Sequence, residues 1–185
     1  MLRTIRLVLK KIAERRRKAA MTPAQFEAMK LAKFRALVQY ANLHSPYYAQ
    51  LIRTHNINPA LCQSADFPPL NKTQLMENFD AIVTDRRLHK ADIARFLERS
   101  HDPADLFLNE FRIIHTSGSS GEVGYFVYGK DDWTRGVLQG MGQRRSRPSA
   151  ARKRKRKSGR MRLAYYAAIG GHYAGVTMVS ALTSG

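Results

Sequence analysis

One stretch constrains this chain more than any other: Ile113-Ile114-His115-Thr116-Ser117-Gly118-Ser119-Ser120-Gly121-Glu122-Val123-Gly124-Tyr125-Phe126-Val127-Tyr128. Apolar residues lead in, a small hydroxyl- and glycine-rich segment follows, and an aromatic and β-branched run leads out. That pattern predicts two strands joined by a flexible loop. Glycines at 118, 121 and 124 can adopt backbone angles that other residues avoid, and they let the backbone come close to a ligand. Thr116, Ser117, Ser119 and Ser120 set hydroxyls beside the loop's N–H groups. Such a nest of donors suits an oxyanion, phosphate above all, and the same composition also serves a solvated hairpin turn. The loop is not of the Walker type, because no Gly-Lys-Ser/Thr follows and no helix clearly opens there.

The segment before it reads as helical scaffold. Residues 1–18 have Leu2, Ile5, Leu9 and Ile12 at helical spacing, with Arg3, Arg6, Lys10 and Lys11 largely off that stripe and Arg15-Arg16-Arg17-Lys18 closing it. Two readings stand: a helix that meets anionic lipid at a membrane surface, or a surface helix docked on its own domain. Thr22-Pro23-Ala24-Gln25 is a helix start, with Thr22 as cap and Gln25 as capping-box partner. That helix is expected to end near His44-Ser45, because Pro46 disfavours helical angles in the residue before it. Ser45-Pro46 in turn starts a short helix through Ile52. Pro68-Pro69 forms a rigid turn, and Asn71 caps the next helix with Gln74 as its partner. Tyr47 and Tyr48 are expected to be packing residues.

Further along, His89 to Arg99 reads as a helix with Ile93, Phe96 and Leu97 on its apolar side. Phe111 to Thr116 and Tyr125 to Tyr128 are the strands flanking the loop. Asp131 is expected to cap a helix carrying Trp133, Val137 and Leu138. Met161 to Ile169 reads as a buried strand, followed by a turn at Gly170–Gly175 and a small-residue helix through Val179.

Charge is concentrated in two places. The chain carries a formal +18, from 32 Lys+Arg against 14 Asp+Glu. Arg144 to Arg162 holds eleven basic residues and no acidic one, and residues 1–18 hold eight basic residues and Glu14. The remainder is close to neutral. The 144–160 run has no apolar face before Met161, so a flexible basic loop is expected. It lacks the interleaved aromatics of a single-strand binder, and a solvated loop is the reading preferred over a nucleic-acid site. Cys62 is the only cysteine, so no intrachain disulfide forms. No apolar run approaches the roughly 18–20 residues needed to span a bilayer, and no secretory signal pattern opens the chain. A cytoplasmic protein is expected, with peripheral membrane attachment if residues 1–20 act as a lipid-facing helix.

Several of these strings together resemble a known family. Thr116-Ser117-Gly118-Ser119-Ser120-Gly121 resembles the phosphate loop of adenylate-forming ligases, with Val123-Gly124 where that family usually has Pro-Lys. Leu37-Val38-Gln39-Tyr40-Ala41 with His44-Ser45-Pro46-Tyr47-Tyr48 is similar to the N-terminal signature of phenylacetate–CoA ligases and their capsule-biosynthesis relatives. So is Phe67-Pro68-Pro69-Leu70-Asn71-Lys72-Thr73-Gln74-Leu75 with Glu77-Asn78-Phe79, a block that reads as scaffold without chemistry. Gly170-Gly171-His172-Tyr173 resembles a further stretch of the same branch.

The resemblance implies an α/β (α+β-like) fold, with N-terminal helices followed by the start of a ligase large domain that is incomplete within 185 residues. Residues 1–20 are then the basic helix and 21–185 the partial domain. The implied function is the first part of an ATP-dependent acyl-adenylate-forming ligase, with ATP, Mg²⁺ and coenzyme A as cofactors and a small carboxylate as substrate. Thr116, Ser117, Gly118, Ser119, Ser120 and Gly121 would hold the β- and γ-phosphates. Gly171 and His172 would lie near an acyl pocket. No catalytic base and no metal ligand is assigned. The chain is expected to be inactive alone, with a partner chain a conceivable source of the remaining segments. The rival readings are a non-enzymatic binder of nucleic acid or anionic membrane working through its basic segments, and a truncated product with no activity of its own.

Overall fold

The computed structural model describes residues 2–118, 121–143 and 171–177. The expected strand at 161–169 and the basic run at 144–160 lie outside the described residues. So do Ser119 and Ser120. Among the described residues helices dominate, and one small antiparallel sheet accompanies them, giving a mixed α and β architecture.

The N-terminal half is a set of capped helices. Helix α1 spans Leu2–Ala19, α2 Pro23–His44 and α3 Pro46–Thr54. Thr22 and Gln25 form the reciprocal capping box at the start of α2, which satisfies two otherwise orphaned N–H groups. Ser45 ends α2 in extended geometry and caps α3, as the proline after it requires. Ser45 is 1% exposed, and its hydroxyl donates to the Ala81 carbonyl at 3.0 Å. The α2–α3 corner is thereby fixed to the next layer. Glu14 pins α1 to α2 through Lys33 Nζ at 2.8 Å and also meets Lys18 at 3.0 Å. Leu9 and Ile12, on the apolar stripe of α1, remain 61% and 46% exposed.

Two hydrophobic clusters organise the rest. The smaller gathers Val38, Ile52 and Cys62, with Phe34 and Phe67 edge-on to each other at 5.9 Å. Arg35 closes it by donating to the carbonyls of Cys62 and Leu61 at 3.1 and 2.7 Å. The larger joins α4 (Lys72–Glu77), α5 (Phe79–Ile82) and α6 (Lys90–Arg99) to the sheet through Met76, Phe79, Ile93, Phe107, Phe111 and Ile113. Asn71 and Gln74 form the capping box of α4. The cap of α6 comes from a different helix: Asp80 accepts the Lys90 N–H at 2.7 Å.

Strand β1 (Arg112–His115) pairs with β2 (Tyr125–Tyr128) in the register Arg112↔Tyr128 to His115↔Tyr125. Ile113 and Ile114 are both buried, so β1 is covered on both faces. Helix α7 (Lys130–Gln143) follows β2, and its Trp133 packs edge-on to Tyr128 at 5.6 Å. The helix begins at Lys130, so Asp131 sits in its first turn and does not cap it. Among the described residues no helix is long and apolar enough to cross a membrane.

Candidate functional site

The Ser/Gly segment is the connection between β1 and β2. Its base is closed twice by one pair. The Thr116 N–H donates to the Gly124 carbonyl at 3.0 Å, and the Gly124 N–H donates to Thr116 Oγ1 at 2.9 Å. The Thr116 hydroxyl oxygen is therefore engaged in holding the loop. Above that base, Gly118 and Gly121 have φ of 71° and 89°, the left-handed region that favours glycine. The Gly121 N–H donates to the Gly118 carbonyl at 2.8 Å, which draws these two glycines of the loop together. Ser117 is exposed at its start. From Thr116 to Gly124 the sequence holds no lysine or arginine, and Glu122 makes it net negative.

The second motif read from the sequence arrives at the same strand end. Residues 171–173 lie alongside β1: the His115 N–H donates to the His172 carbonyl at 3.0 Å, and His115 pairs in parallel with Tyr173. The rings of His115 and Tyr173 stack at 4.3 Å. Thr116, where the loop starts, is thus one residue from the contact with Gly171 and His172. Residues 174–177, the last ones described, are helical.

His172 itself faces inward. It is 1% exposed, and its Nε2 lies 2.9 Å from Ser100 Oγ. Ser100 Oγ donates its one hydrogen to Asp105 Oδ2 at 2.6 Å, so it accepts from the histidine and Nε2 carries the proton. His172 Nδ1 is left buried and without a partner among the described residues. Burial holds the imidazole below its ordinary pKa. Asp105 opposes that shift, and His115 and Arg112 reinforce it. The serine stands between acid and histidine and gives its proton to the acid. A nucleophilic serine needs the reverse, with the histidine taking its proton and the acid behind the histidine. The chain Asp105–Ser100–His172 therefore clasps residues 171–173 to the end of α6 and does not activate a nucleophile.

Two further features surround these elements. A cavity of about 480 Å³ opens between α2, α3 and residues 64–70, walled by Phe34, Leu37, Tyr47, Tyr48 and Phe67. Tyr47 and Tyr48 meet edge-on at 5.4 Å, and burial pushes the Tyr48 phenol upward with Tyr47 adding to it. None of the loop residues lines this cavity. Gly124 brings α4 to the loop: a Cβ built on it would lie 3.5 Å from Lys72 Cδ and 3.6 Å from Thr116 Cγ2. Lys72, in a stretch read from sequence as scaffold alone, stands at the loop's base. Among the described residues no group of three or more His, Cys, Asp and Glu side chains is gathered to hold a metal ion.

Comparison with protein-family models, with curated proteins and with solved structures gives no significant match.

Proposed function

We propose that this chain supplies the phosphate-holding part of an acyl-adenylate-forming ligase. One observation carries the reading. The string Thr-Ser-Gly-Ser-Ser-Gly joins two paired antiparallel strands, and the described residues at its two sides are pinned at Thr116 and Gly124, with Gly118 and Gly121 in left-handed geometry. Left-handed glycines beside extended residues turn backbone N–H groups toward an anion, and the Ser117 hydroxyl adds a donor beside them. In the reaction this reading implies, a carboxylate attacks the α-phosphate of ATP, pyrophosphate leaves, and a thiol such as that of coenzyme A takes the acyl group. The first half brings two anions together, so preorganised donors on the phosphate tail lower its barrier. Magnesium, carried by the triphosphate, supplies further charge neutralisation in this chemistry. The carboxylate is ionised at neutral pH and requires no base.

Isothermal titration of the full chain with ATP and with inorganic pyrophosphate tests the reading. Affinity should persist when salt is raised and should fall at least several-fold in Ser117→Ala. Affinity that collapses with salt and ignores Ser117 would assign the binding to bulk positive charge and sink the proposal.

A second reading rests on α1. Leu9 and Ile12 are exposed on a helix that also exposes Lys10, Arg16 and Arg17, an arrangement suited to an anionic lipid surface. Co-sedimentation with phosphatidylserine vesicles should fall when residues 1–18 are removed. Equal binding by both forms would discard it.

A further inference from the structure

The cavity of about 480 Å³ between α2, α3 and residues 64–70 takes no part in the loop chemistry, and its walls restrict what can enter it. The walls are held by bonds that lie outside it. Helices α2 and α3 meet at Ser45, whose buried hydroxyl is tied to the Ala81 carbonyl at 3.0 Å. The segment facing them follows Leu61 and Cys62, whose carbonyls accept from Arg35 of α2 at 2.7 and 3.1 Å. Buried Val38 and Ile52 line the cavity and pack with Cys62. Phe34 of α2 meets Phe67 of the facing segment edge-on at 5.9 Å, and Tyr47 meets Tyr48 in the same way at 5.4 Å. The cavity is thus preformed and walled by fixed rings. Leu37 and Tyr40 stand 63% and 50% exposed at its edge, which leaves an apolar mouth open to solvent.

Charge decides the class of occupant. No residue walling the cavity is charged, in a chain with 32 Lys+Arg and 14 Asp+Glu. An ion entering it would lose its water and meet no counter-charge. Nucleotides, carboxylates and amines are therefore disfavoured. The polar side-chain groups in the wall are hydroxyls, on Tyr40, Tyr47, Tyr48, Ser64 and Thr84. Burial raises the Tyr48 phenol, with Tyr47 adding to it, so the group is present as an O–H donor. A preformed apolar cavity with a few hydroxyls, in the range of about 300–1,000 Å³, is the form of a small-molecule site. A protein partner would instead spread over a broad face with a polar rim. We propose that this cavity binds an uncharged, ring-bearing small molecule, its body against Phe34, Tyr47 and Phe67 and one acceptor atom met by the Tyr48 hydroxyl. Flat rings suit walls that offer ring edges and faces. The site shares no described residue with the loop, so it goes beyond the phosphate reading and does not depend on it.

The test uses the full chain and phenylnaphthylamine, an uncharged probe whose fluorescence rises in apolar surroundings. Competitors of one body then sort the chemistry. Naphthol should displace the probe best, and naphthalene less well. Naphthoate and naphthylmethylammonium should be weaker than naphthol by about tenfold or more, because each buries an unpaired charge. Ala41→Phe, which fills the cavity from α2, should weaken the probe about tenfold or more. Ala36→Phe, exposed on the same helix and outside the cavity, should bind as the parent does. Tyr48→Phe keeps the ring and should weaken naphthol about three- to tenfold, the effect of one hydrogen bond, while leaving naphthalene unchanged. No probe binding by the parent would overturn the proposal. So would unchanged binding in folded Ala41→Phe, or displacement by pyrophosphate, which would put the probe at the loop. Naphthoate as strong as naphthol, or decanol stronger than it, would overturn the ligand class. A parent that sediments as a dimer and an Ala41→Phe variant that does not would give the cavity to a second copy of the chain. The competitor series and Tyr48→Phe decide the matter even if Ala41→Phe fails to fold.

Discussion

Thr116 and Gly124 hold each other by two hydrogen bonds, one through the threonine backbone at 3.0 Å and one through its hydroxyl at 2.9 Å. The side-chain bond is separable from the rest. Thr116→Val keeps the shape and removes the acceptor, leaving the N–H of buried Gly124 unsatisfied. That should cost about 1–3 kcal/mol, while Thr116→Ser should cost much less. Urea denaturation gives the stability difference, and faster hydrogen exchange at the Gly124 amide localises it. Equal stability of the Val and Ser variants would show that the hydroxyl does not hold the loop.

The three loop glycines should respond differently to alanine, because their environments differ. At Gly118 the backbone is left-handed, with φ 71°, and the new methyl would sit 3.0 Å from Val123 Cγ2. At Gly121, with φ 89°, the methyl would meet open space. At Gly124 the nearest atom would be at an ordinary 3.5 Å, and the backbone is not left-handed. Left-handed geometry costs a non-glycine residue about 1–2 kcal/mol. The expected order of destabilisation is Gly118 first, Gly121 second and Gly124 last. Thermal melts of the three single variants check the order, and the largest loss at Gly124 would contradict the loop geometry.

Much of the framework was legible because it depends on residues close in sequence. Both capping boxes, Thr22 with Gln25 and Asn71 with Gln74, form as their spacing predicts. Pro46 places the α2–α3 boundary at Ser45, and β2 runs from Tyr125 to Tyr128 as the aromatic pattern indicates. Strand β1 is trimmed to Arg112–His115, because Phe111 pairs back to Phe107 and Thr116 turns its hydroxyl to Gly124. Contacts between distant elements had no local signal. Nothing near Lys72 announces Gly124, and nothing near Ser100 announces His172. The four-residue helix at Phe79–Ile82 is too short for a periodic pattern to show. The packing role read for Tyr47 and Tyr48 is half of what they do, since both also wall the 480 Å³ cavity.

The clasp through His172 should loosen in mild acid. Burial keeps the folded imidazole below its ordinary 6.5, and a neutral His172 fits the chain to Ser100. A base with a depressed folded pKa contributes stability that is present above 6.5. That contribution is lost as pH falls toward the folded value, because the unfolded state then binds more protons. Asp105 and Asp102 resist the shift, and His115 and Arg112 favour it. Exchange at the Gly171 and His115 amides, corrected for intrinsic rate, should accelerate as pH is lowered from about 7 to about 5. Both amides bond across this junction, to His101 O at 2.9 Å and His172 O at 3.0 Å. His172→Gln should abolish the pH dependence. Its persistence in that variant would move the titrating group elsewhere.

Helix α1 depends on a carboxylate, and acid should release it at a lower pH. Lys33 and then Lys18 hold Glu14 at a pKa of about 2, against an ordinary 4.5. A carboxylate depressed in the fold adds stability above 4.5 and loses it as pH falls through about 2. The sign is opposite in origin to that of His172, although both contributions weaken on acidification. In one case a charged partner is protonated away, and in the other a neutral ring is forced to charge. The Glu14 side chain is 23% exposed and Lys33 56%, so salt should weaken the contact too. Glu14→Gln should free α1 from α2 at neutral pH without disturbing the clusters around Val38 and Met76. Amide chemical shifts of residues 12–18 and 30–36 would change, while those of β1 and β2 would not. Unmoved shifts in α1, with Glu14 neutralised, would show that Lys33 and Lys18 are bystanders and that other contacts dock the helix.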